Sequence, residues 1–361
     1  MIVQSQVFKS ALAMVAGAIP RSGPFAGLQM EGSDNTLTLA GSGDYASARV
    51  RIPAHGDLAA VVVRPTELQR VVGAVQTDDF TLAMRDNSLQ VTAARSKLKV
   101  PTLPNIPEGL REPLDSDYSP ALDIADWVDM VRCQAPANNK SVSNPSLKAL
   151  HIEITNEHGR CVSTDGFRLH ALTLAPQPTF LKCAVAAIAI ADFLRFVRIV
   201  ASTPIQLCVK GGRLHLRSGD AYGSFALIDG TLPSFEHMLN PPIGASCVVN
   251  RKDLKTVLGI CSAFTDDDSK RVTLELAGDS LQVSSTGADG NFTETLTVTN
   301  PTGNFTIPYR LSNLTDALLG DSTTVALEVS SQRYGAALAH EPTPILIRDG
   351  QFTALCQPLR S

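Results

Sequence analysis

The sequence predicts an α+β protein that consists of three similar domains. One structural unit recurs about every 120 residues: an amphipathic segment, two alternating strands around a short turn, a second amphipathic segment and a second pair of strands. A period of this length indicates whole domains, because solenoid repeats are only about 20–50 residues long. The 361 residues, of which 44% are hydrophobic, are enough to form three hydrophobic cores.

The repeat is visible in the residues themselves. The second amphipathic segment of each unit begins near Pro65, Ile190 and Tyr309, so the intervals are 125 and 119 residues. An alternating hairpin follows each segment, and alternation around an Asn, Asp or Gly turn is a strong hairpin signal. The predicted hairpins are residues 80–84 and 89–91 around Asp86-Asn87, residues 205–209 and 214–216 around Gly211-Gly212, and residues 325–329 with a weaker Ala-rich strand after Ser331-Gln332.

Six segments repeat their apolar residues at helical spacing. This spacing places the apolar residues of each segment on one side of a 3.6-residue helix. The six sets are Val7, Ala11, Leu12 and Val15; Leu68, Val71, Val72 and Val75; Ile124, Trp127, Val128 and Val131; Phe193, Phe196, Val197 and Val200; Leu254, Val257, Leu258 and Cys261; and Leu311, Leu314 and Leu318. The sequence therefore predicts six helices and roughly two dozen strands.

Proline-rich segments separate the three repeats. Proline donates no hydrogen bond to a strand ladder and therefore ends strands. Four prolines lie in residues 101–118 and three in residues 232–242. The predicted domains are residues 1–118, 119–242 and 243–361.

Composition argues against several classes of protein. The net charge of −4 and the isoelectric point near 6.0 exclude a polycation of the histone type, so any nucleic-acid contact needs a local basic surface. The seven cysteines are odd in number and show no CxxC spacing, which argues against a disulfide framework and a zinc site. The longest apolar stretch, residues 183–191, is shorter than the ~20 residues of a membrane span, and no signal-peptide pattern is present. We therefore expect a cytoplasmic protein without membrane contact.

Three candidate sites for catalysis or ligand binding have simpler structural explanations. The adjacent carboxylates of residues 266–268 lack the alternating spacing and the distant Glu of a calcium loop, which favours a solvated loop. Cys161 lies in an alternating strand, where a cysteine is typically a small buried residue rather than a nucleophile. The glycines of residues 41–43 and 211–212 belong to hairpin turns and not to a phosphate-binding loop. The sequence predicts no enzyme, no cofactor and no metal site.

Basic side chains recur on the predicted helices. Each alone is an ordinary solvated side chain, but six helices in symmetric repeats would collect these charges on one shared surface. Duplex DNA carries one phosphate charge per ~1.7 Å of its axis, so such a surface would bind DNA without reading its sequence. The predicted DNA-facing residues on the helices are Lys9, Arg70, Arg132, Arg195, Arg198, Lys252 and Lys255.

Five motifs lie in a fixed order along the chain, and one of them, residues 162–169 (VSTDGFRL), contains a Thr-Asp-Gly turn. This motif resembles the ATDGHRL signature in the middle domain of the bacterial β sliding clamp, the processivity subunit of the replicative DNA polymerase, and the other four resemble further parts of that protein. Residues 95–104 resemble the end of its first domain, and residues 228–235 (IDGTLPSF) resemble its VDGxFPxY motif. Residues 254–264 resemble the first helix of its third domain, and residues 357–360 (QPLR) resemble its terminal MPMR. The resemblance covers essentially the whole chain.

The resemblance implies a ring of two head-to-tail subunits, each of three clamp domains, with helices inside and antiparallel sheets outside. Such a ring encircles duplex DNA and keeps a tethered polymerase at a high effective concentration on its template. The implied partners are double-stranded DNA, DNA polymerase, the clamp loader, repair proteins with clamp-binding peptides, and a second copy of the chain as a homodimer. The alternative is a clamp-fold scaffold that binds peptide motifs of replication or repair proteins without ring function.

The resemblance also implies a pocket for a short partner peptide, in which apolar residues contact the hydrophobic anchors of the peptide and Arg168 and Arg360 bind its polar groups or backbone carbonyls. The implied pocket residues are Leu147, Thr164, Gly166, Phe167, Arg168, Leu169, Pro233, Met238, Leu355, Cys356, Gln357, Pro358, Leu359 and Arg360. Three positions differ from the usual pattern: Phe167 replaces a His or Tyr, His237 an Arg, and Gln357 an apolar residue. Alternatively, these residues only join the second domain to the third.

The implied subunit interface joins Leu98 and Val100, on an edge strand of one chain, to Ala263 and Phe264, at the end of a helix of the other. An exposed apolar edge strand promotes aggregation, so its pairing across a dimer is physically reasonable. Arg21, just after the first helix, resembles a phosphate-contacting position on the rim of the ring.

Overall fold

A computed structural model describes most of the chain: residues 1–20, 26–104, 115–119, 129–139, 141–177, 180–200, 204–230, 234–265, 270–288, 290–331 and 343–359. Parts of three predicted segments fall outside these residues. They are positions 124, 127 and 128 of the third predicted helix, the acidic loop at 266–268, and the turn and Ala-rich strand that follow residue 331.

Seven α-helices occur in the described residues, and five of them confirm predicted helices. They are α1 (Ser5–Gly17), α2 (Pro65–Gly73), α3 (Gln134–Ala137), α4 (Ala187–Val200), α5 (Glu236–Leu239), α6 (Arg251–Cys261) and α7 (Leu311–Asp316). Helices α3 and α5 have four residues each, too few to show a helical period. Helix α7 begins at Leu311 rather than near Tyr309, because Tyr309 still belongs to the alternating strand before the helix.

Helix α6 shows how the local sequence sets a helix start and its buried face. The Asn250 side chain accepts hydrogen bonds from the N–H groups of Lys252 (2.9 Å) and Asp253 (3.1 Å), which otherwise lack intrahelical partners. The four apolar residues predicted for this helix are all buried: Leu254, Val257, Leu258 and Cys261. Its two lysines, Lys252 and Lys255, lie on the opposite, exposed face.

The described residues contain twenty-three strands, close to the predicted number. They are β1 (Ile2–Gln4), β2 (Leu28–Ser33), β3 (Thr36–Ser42), β4 (Ala46–His55), β5 (Leu58–Val63), β6 (Asp79–Arg85), β7 (Ser88–Ala93), β8 (Ser96–Pro101), β9 (Ala149–Ile154), β10 (Gly159–Thr164), β11 (Arg168–Leu174), β12 (Leu181–Ala186), β13 (Gln206–Lys210), β14 (Arg213–Ser218), β15 (Ala221–Ala226), β16 (Ile243–Asn250), β17 (Arg271–Ala277), β18 (Ser280–Gly287), β19 (Gly290–Thr302), β20 (Phe305–Arg310), β21 (Thr324–Ser330), β22 (Ile345–Asp349) and β23 (Phe352–Cys356). The strand pairs formed by the described residues are antiparallel, which agrees with the α+β prediction.

The first two predicted hairpins are confirmed, together with their turns. Asp86 and Asn87 have φ of 47° and 55°, and Gly211 and Gly212 have φ of 59° and 70°. A two-residue turn with both residues in the left-handed region matches the right-handed twist of the flanking strands. The turns join β6 to β7 and β13 to β14.

The chain divides into two compact units. Unit 1 comprises Met1–Val131, Glu153–Glu157 and Pro176–Asp229, and unit 2 comprises Arg132–Ile152, His158–Ala175 and Gly230–Ser361. Each unit combines strands from two of the predicted domains, because β4 pairs with β15 in unit 1 and β11 pairs with β23 in unit 2. The division into domains 1–118, 119–242 and 243–361 stays a prediction.

Unit 1 packs helices against a strand path with the order β13-β14-β15-β4-β1-β6-β7-β8. Helix α1 contacts both α2 and α4 as well as β3 and β4. The ring of Phe8 meets Phe80 edge to face at 5.1 Å, and Phe193 meets Phe225 in the same manner at 5.8 Å. Strand β8 is the last strand of this path, so the predicted edge strand with Leu98 is confirmed as a sheet edge.

Unit 2 contains the strand order β10-β11-β23-β22-β21-β16-β19-β18-β17-β20. Helix α6 packs on α7 and on β16, β18, β19 and β21. The fully buried carboxylate of Asp349 accepts hydrogen bonds from Arg251 Nε (2.8 Å) and from the N–H of Gly320 (2.7 Å). Asp349 therefore links Arg251, at the start of α6, to Gly320, in the segment that follows α7. A buried carboxylate is costly without such partners.

Strand pairing repeats along the chain with a constant step. The hairpins β3–β4, β10–β11 and β18–β19 have equivalent cross-strand pairs, and consecutive pairs are 122 residues apart. These pairs are Ser42 with Ser47, Thr164 with Leu169, and Thr286 with Asn291. The internal repeat inferred from the sequence is therefore present in the register of the sheets.

Each unit contains one seam between strands, and the strands that form the two seams are equivalent. In each, the last strand of a three-strand meander, β15 or β23, pairs with the second strand of a hairpin, β4 or β11. The terminal pairs of the two seams are Ala46 with Phe225 and Val50 with Ala221 in unit 1, and Arg168 with Cys356 and Leu172 with Phe352 in unit 2. The same step of 122 residues separates Ala46 from Arg168 and Val50 from Leu172, so the two seams have one register.

Candidate functional site

The turn between β10 and β11 is held by its own side chains. The Asp165 carboxylate accepts hydrogen bonds from the N–H groups of Phe167 (3.0 Å) and Arg168 (2.9 Å), and the Thr164 hydroxyl donates to the Arg168 carbonyl (2.7 Å). Gly166 has φ of 87°, a conformation that favours glycine. The turn presents Phe167 to solvent with 65% of its surface exposed.

Arg168 is already engaged within the chain. Its Nε donates to Asp165 (3.2 Å), and its two terminal nitrogens donate to the Asp316 carboxylate and to the Ala135 carbonyl (3.3 Å). The Arg168 side chain is only 11% exposed. The guanidinium therefore joins the β10–β11 turn to α3 and α7, and its three nitrogens all have acceptors before any partner arrives.

A cavity of about 760 Å³ lies beside this turn, within unit 2. This volume falls in the usual range for ligand pockets, about 300–1,000 Å³. Its lining residues are Ala135, Asn138, Asn139, Ser141, Asp165, Gly166, Phe167, Arg168, Arg310, Ser312, Asn313, Gln357, Pro358 and Leu359. Six of the predicted pocket residues are among them: Gly166, Phe167, Arg168, Gln357, Pro358 and Leu359. The cavity is polar for the most part, whereas the resemblance implied apolar contacts.

Three of the apolar residues predicted for the pocket, Leu169, Met238 and Leu355, lie apart from the cavity lining. Leu169 and Leu355 belong to a buried cluster with Val162, Ala171 and Phe235, against which Met238 and Leu239 pack. Their apolar surface is covered by the chain itself, since Leu169 and Leu355 are at most 3% exposed. The structure thus divides the predicted apolar residues: Phe167, Pro358 and Leu359 line the open space, whereas Leu169 and Leu355 are packed beneath it.

The remaining predicted pocket residues have individual positions. Leu147 is half-buried in the 3₁₀ turn Pro145–Lys148. Cys356 is buried, and its thiol donates a hydrogen bond to the Asn313 carbonyl (3.4 Å). Pro233 and Arg360 lie outside the described residues.

Sequence reasoning missed eight residues of the cavity lining, namely Ala135, Asn138, Asn139, Ser141, Asp165, Arg310, Ser312 and Asn313. Asp165 belongs to the recognised turn motif, and the polar run at 138–141 carries a loop signal. Arg310 and Ser312 carry no local signal, because only tertiary folding brings the β20–α7 junction to this turn.

Three predicted DNA-facing residues of unit 1 lie on the contacting helices α1, α2 and α4. Lys9 Nζ donates to the Val75 carbonyl (2.8 Å), so its charge also ties α1 to the end of α2. Arg195 pairs with Asp192 on the same helix (2.7 Å), and Arg70 is exposed on α2. The Arg198 side chain and Arg21 lie outside the described part of the structure.

The predicted DNA-facing residues of unit 2 differ in their surroundings. Arg132 donates to the Asp321 carboxylate (2.6 Å) and to the Leu319 carbonyl (2.9 Å), which neutralises much of its charge. Lys252 and Lys255 are exposed on the outer face of α6. The two lysines therefore contribute basic surface, whereas Arg132 chiefly links two segments of the chain.

The predicted interface residues differ in how far they are exposed. In unit 1, Leu98 is half-buried and Val100 is buried on the edge strand β8. In unit 2, the 3₁₀ turn Ser262–Phe264 extends helix α6, with Ala263 exposed and Phe264 half-buried. The ring of Phe264 stacks on Phe292 of β19 with centroids 5.8 Å apart and an interplanar angle of 17°.

Comparison with known proteins gives consistent neighbours. No family model matches the chain. A β sliding clamp from Rickettsia felis is 21% identical over 314 residues, which cover 82% of this chain and 79% of that protein. Among solved structures, the DNA polymerase III β subunit of Thermotoga maritima superposes with a TM-score of 0.79 at 17% identity, covering 100% of this chain and 99% of its own. The sliding clamp of Bacillus subtilis superposes with a TM-score of 0.78 at 14% identity, covering 100% and 98%.

The chain has the sliding-clamp fold. A likeness over the full length of both chains confirms the fold class inferred from the three repeats and five motifs. The polar cavity and the apolar cluster are therefore features of a clamp-fold chain.

The buried thiols of this clamp-fold chain are poorly suited to nucleophilic chemistry. The hydrogen bond with the Cys133 side chain, together with burial, raises the pKa of Cys161 well above its usual value. Burial raises the pKa of Cys356 to about 12, although the nearby Arg168 charge opposes the shift. Both thiols therefore stay protonated near neutral pH, which agrees with the expectation that Cys161 is a small buried residue.

His170 is a buried imidazole on β11 whose two ring nitrogens have no hydrogen-bond partner in the described part of the chain. Burial is the main cause that lowers its pKa from 6.5 to about 3, and the positive charge of Arg168 adds to the effect, while Asp165 opposes it. The folded protein therefore holds this histidine neutral over the whole physiological range.

The low pKa of His170 predicts a specific pH dependence of stability. Between pH 6.5 and about 3 the unfolded chain binds a proton at this residue and the folded chain does not, so the free energy of unfolding falls as the pH decreases. The loss is about 1.4 kcal/mol per pH unit. In His170→Leu, urea denaturation should show a difference in unfolding free energy between pH 7 and pH 5 that is smaller by about 2 kcal/mol than in the parent. An identical difference in both proteins would contradict the assignment.

Two further observations concern ligands and membranes. In the residues that the structure describes, no group of three or more His, Cys, Asp or Glu side chains is arranged to hold a metal ion. None of the described helices has the length and apolar character to cross a membrane. The acidic residues 266–268, considered above as a cation-binding loop, lie outside the described residues.

Proposed function

We propose that this chain is a DNA sliding clamp, in which two copies join head to tail, encircle duplex DNA and tether a replicative polymerase. Each copy would contribute three clamp domains, with boundaries near residues 118 and 242. The protein would act through enclosure and partner binding, without a catalytic step, in the cytoplasm where the chromosome is replicated. The observation that carries the proposal is the repeated pairing between a hairpin and a meander. Two such seams form within the chain, and a third would require a second copy.

The strand series shows what a second copy would supply. Strands β4, β11 and β19 are equivalent second strands of hairpins, and β8, β15 and β23 are equivalent third strands of meanders. Two seams, β4–β15 and β11–β23, form within the chain. Among the described pairings, β8 pairs along its length only with β7, and residues 290–297 of β19 pair only with β18. A contact between β8 of one copy and β19 of the next completes the series as a heterologous, closing interface.

The constant step also sets the register of this proposed seam. Gly290 and Glu294 follow Arg168 and Leu172 by 122 residues, so the seam would pair Val100 with Gly290, Leu98 with Phe292 and Ser96 with Glu294. The half-buried Leu98 then meets the half-buried Phe292, while the exposed Lys97 and Lys99 meet exposed residues of β19. A slip of one residue would place every side chain on the wrong face. The burial pattern therefore supports the register that the repeat predicts.

Cysteine cross-linking tests this register directly. Residues directly opposite in an antiparallel pair have Cβ atoms about 4.5–5.5 Å apart, close enough for a disulfide after small shifts. The double variant Leu98→Cys with Phe292→Cys should run as a covalent dimer on a non-reducing gel after mild oxidation.

Two controls make the cross-linking result specific. The parent chain has seven cysteines, six of them buried, and should stay monomeric on the same gel. The double variant Leu98→Cys with Asn291→Cys moves one thiol to the other face of the strand and should cross-link far less. Equal cross-linking of both double variants would refute the proposed register.

Basic helix surfaces support the DNA-binding part of the proposal. Arg70, Lys252 and Lys255 are exposed, and a chain of net charge −4 needs such local surfaces to approach a phosphate backbone. Contacts of this kind hold DNA without selecting a sequence, as sliding requires. Arg21 and Arg198 would add to this surface.

Retention on DNA is the functional test. After loading by a clamp loader, the protein should stay on a nicked circular plasmid through gel filtration and should leave the same plasmid once it is linearised. A topological link has this dependence on DNA ends, whereas an ordinary binding protein leaves both substrates at the same rate. Equal loss from circular and linear DNA would disprove the sliding function.

A scaffold that binds partner peptides without forming a ring is the second candidate. It is favoured by the internal partners of Lys9, Arg132 and Arg195, which reduce the free positive charge available to DNA. A scaffold of this kind would have a mass in solution of 38.4 kDa at micromolar concentration, whereas a ring of two copies would have twice that mass.

A further inference from the structure

The turn between β3 and β4 in unit 1 repeats the turn between β10 and β11 in unit 2. The step of 122 residues makes Tyr45 the equivalent of Phe167. Both rings are exposed, Tyr45 with 70% of its surface and Phe167 with 65%. The N–H of Gly43 donates to the Ala46 carbonyl (2.8 Å), and the equivalent hydrogen bond closes the turn of unit 2. Unit 1 therefore presents an aromatic side chain at the end of its own seam.

The chain at the end of each seam is held by the same two backbone hydrogen bonds. These bonds run from the Ala226 N–H to the Tyr45 carbonyl (2.7 Å) and from the Ile228 N–H to the Ala184 carbonyl (2.8 Å) in unit 1, and from the Gln357 N–H to the Phe167 carbonyl (2.8 Å) and from the Leu359 N–H to the Pro308 carbonyl (2.9 Å) in unit 2. In unit 2 the residues of this arrangement line the cavity. Unit 1 has an equivalent surface, which we call the seam-end surface, formed by Tyr45, Ala226, Leu227 and Ile228.

The seam-end surface is apolar. Ala226, Leu227 and Ile228 are half-buried, and the hydrogen bond from Ala226 places the exposed Tyr45 next to them. Aromatic residues are enriched at protein interfaces, and the cores of interfaces contain few charged residues. The surface therefore has the composition of a small interface core.

Alanine occupies two positions of unit 1 where the unit 2 cavity has arginine. Arg168 corresponds to Ala46 by the step of 122 residues. Arg310 corresponds to Ala186, because each lies two residues after the accepting carbonyl and directly before a helix, α7 or α4. The two equivalent sites therefore differ in charge, and the same ligand would not suit both.

Two exposed carboxylates flank the seam-end surface. Asp44 directly precedes the aromatic residue, and Asp229 directly follows the aliphatic ones. Within the described part of the chain, neither carboxylate has an ion pair. Arg213 reaches the same turn, but its nitrogens donate to the Asp44 carbonyl (3.3 Å) and to the hydroxyl and carbonyl of Ser224 (2.7 and 3.0 Å). The charge at the two ends of the surface is thus complementary to Lys or Arg side chains.

We propose that the seam-end surface is a second docking site of each copy and binds a short basic peptide segment of a partner protein. An apolar side chain of the peptide would pack on Tyr45 and Leu227, and its Lys or Arg side chains would pair with Asp44 and Asp229. The inference goes beyond the sliding-clamp function and does not depend on ring closure. It would allow one copy to hold two partners of opposite charge at the same time.

Fluorescence anisotropy with two matched peptides tests the charge requirement. The probes are a fluorescein-labelled heptapeptide in which three Lys residues alternate with Leu and Phe, and its counterpart with three Gln residues. At low salt the intact chain should bind the Lys peptide at least about tenfold more tightly, and the difference should shrink as salt screens the charges. Equal affinity for the two peptides would overturn the proposal.

Substitution of the aromatic residue locates the bound peptide. Tyr45→Ala should weaken binding of the Lys peptide at least about tenfold, whereas Phe180→Ala, at another exposed aromatic residue of unit 1, should bind like the parent. Because Tyr45 is exposed, thermal unfolding of the variant should match the parent. A larger loss of affinity in Phe167→Ala than in Tyr45→Ala would place the peptide in unit 2, and the inference would be wrong.

Substitution of the carboxylates identifies the source of the charge. The double variant Asp44→Asn with Asp229→Asn should bind the Lys and Gln peptides with nearly equal affinity. Asp57→Asn removes one exposed carboxylate from the turn between β4 and β5 and should keep the preference of the parent. If the double variant kept the full preference, the charge would come from elsewhere and the site would be disproved.

Two further measurements separate this site from the ring. Light scattering should give Tyr45→Ala the mass of the parent, and a lower mass would show that the surface joins two copies instead of a partner peptide. Retention on circular DNA is scored on the parent chain. Loss from circular DNA with charge-dependent peptide binding intact would defeat the sliding function alone. Retention without charge-dependent peptide binding would defeat this inference alone.

Discussion

Phe264→Asp is expected to reduce the mass of the protein in solution from twice 38.4 kDa to 38.4 kDa. The Phe264 ring stacks on Phe292, and the proposed seam places Phe292 opposite Leu98 of the partner copy. A carboxylate at position 264 would remove this stacking and place an unpaired charge at an apolar seam, which costs several kcal/mol. Light scattering at micromolar concentration measures the mass, and the variant should also lose retention on circular DNA.

Phe180→Asp is the matched control, because it makes the same chemical change at a residue of unit 1 that is 75% exposed and lies outside β8 and β19, the strands of the proposed seam. It should keep the dimer mass and the retention of the parent. A Phe264→Asp protein that stays dimeric would refute the seam, whatever its effect on DNA binding.

Arg168→Ala is expected to lower the free energy of unfolding of unit 2 by about 3–5 kcal/mol, the range found when one partner of a buried ion pair is removed. The Asp165 side chain is 3% exposed and would lose its cation, while Asp316 and the Ala135 carbonyl would lose a donor. Urea denaturation followed by circular dichroism measures the change.

Arg195→Ala is the control for a solvent-exposed pair. The side chains of Arg195 and Asp192 are 51% and 31% exposed, so water and salt screen their interaction, and its loss should cost only about 0–1 kcal/mol. A loss of the same small size in Arg168→Ala would show that the three contacts of Arg168 do not support the turn. Other contacts would then maintain the shape of the cavity wall next to Arg168.

Local sequence determined the hairpins and most helices of this fold. The Asp86-Asn87 and Gly211-Gly212 turns were predictable because left-handed turn residues between alternating strands have one favoured geometry. Helix α6 was predictable because four apolar residues at helical spacing need burial on one face. Helices α3 and α5 were not predictable, since one helical turn has no measurable period and depends on its tertiary neighbours.

The candidate site was only partly predictable, for a different reason. The Thr164-Asp165-Gly166 sequence forms its turn from contacts between neighbouring residues, and the turn was recognised from sequence alone. Arg168 donates hydrogen bonds to Asp316 and Ala135, which lie 148 and 33 positions away in the sequence. No local pattern reveals contacts between residues so far apart.

The sequence by itself determined the threefold repeat, the strand and helix types, and the Thr-Asp-Gly turn, because each depends on residues close together in the chain. The tertiary structure decided which of the predicted pocket residues line open space and which are packed away. It also placed Arg310 at the cavity and opposite Arg271. The physical reason is that the burial and charge environment of a side chain depend on all the segments that surround it, and chain folding alone brings distant segments together.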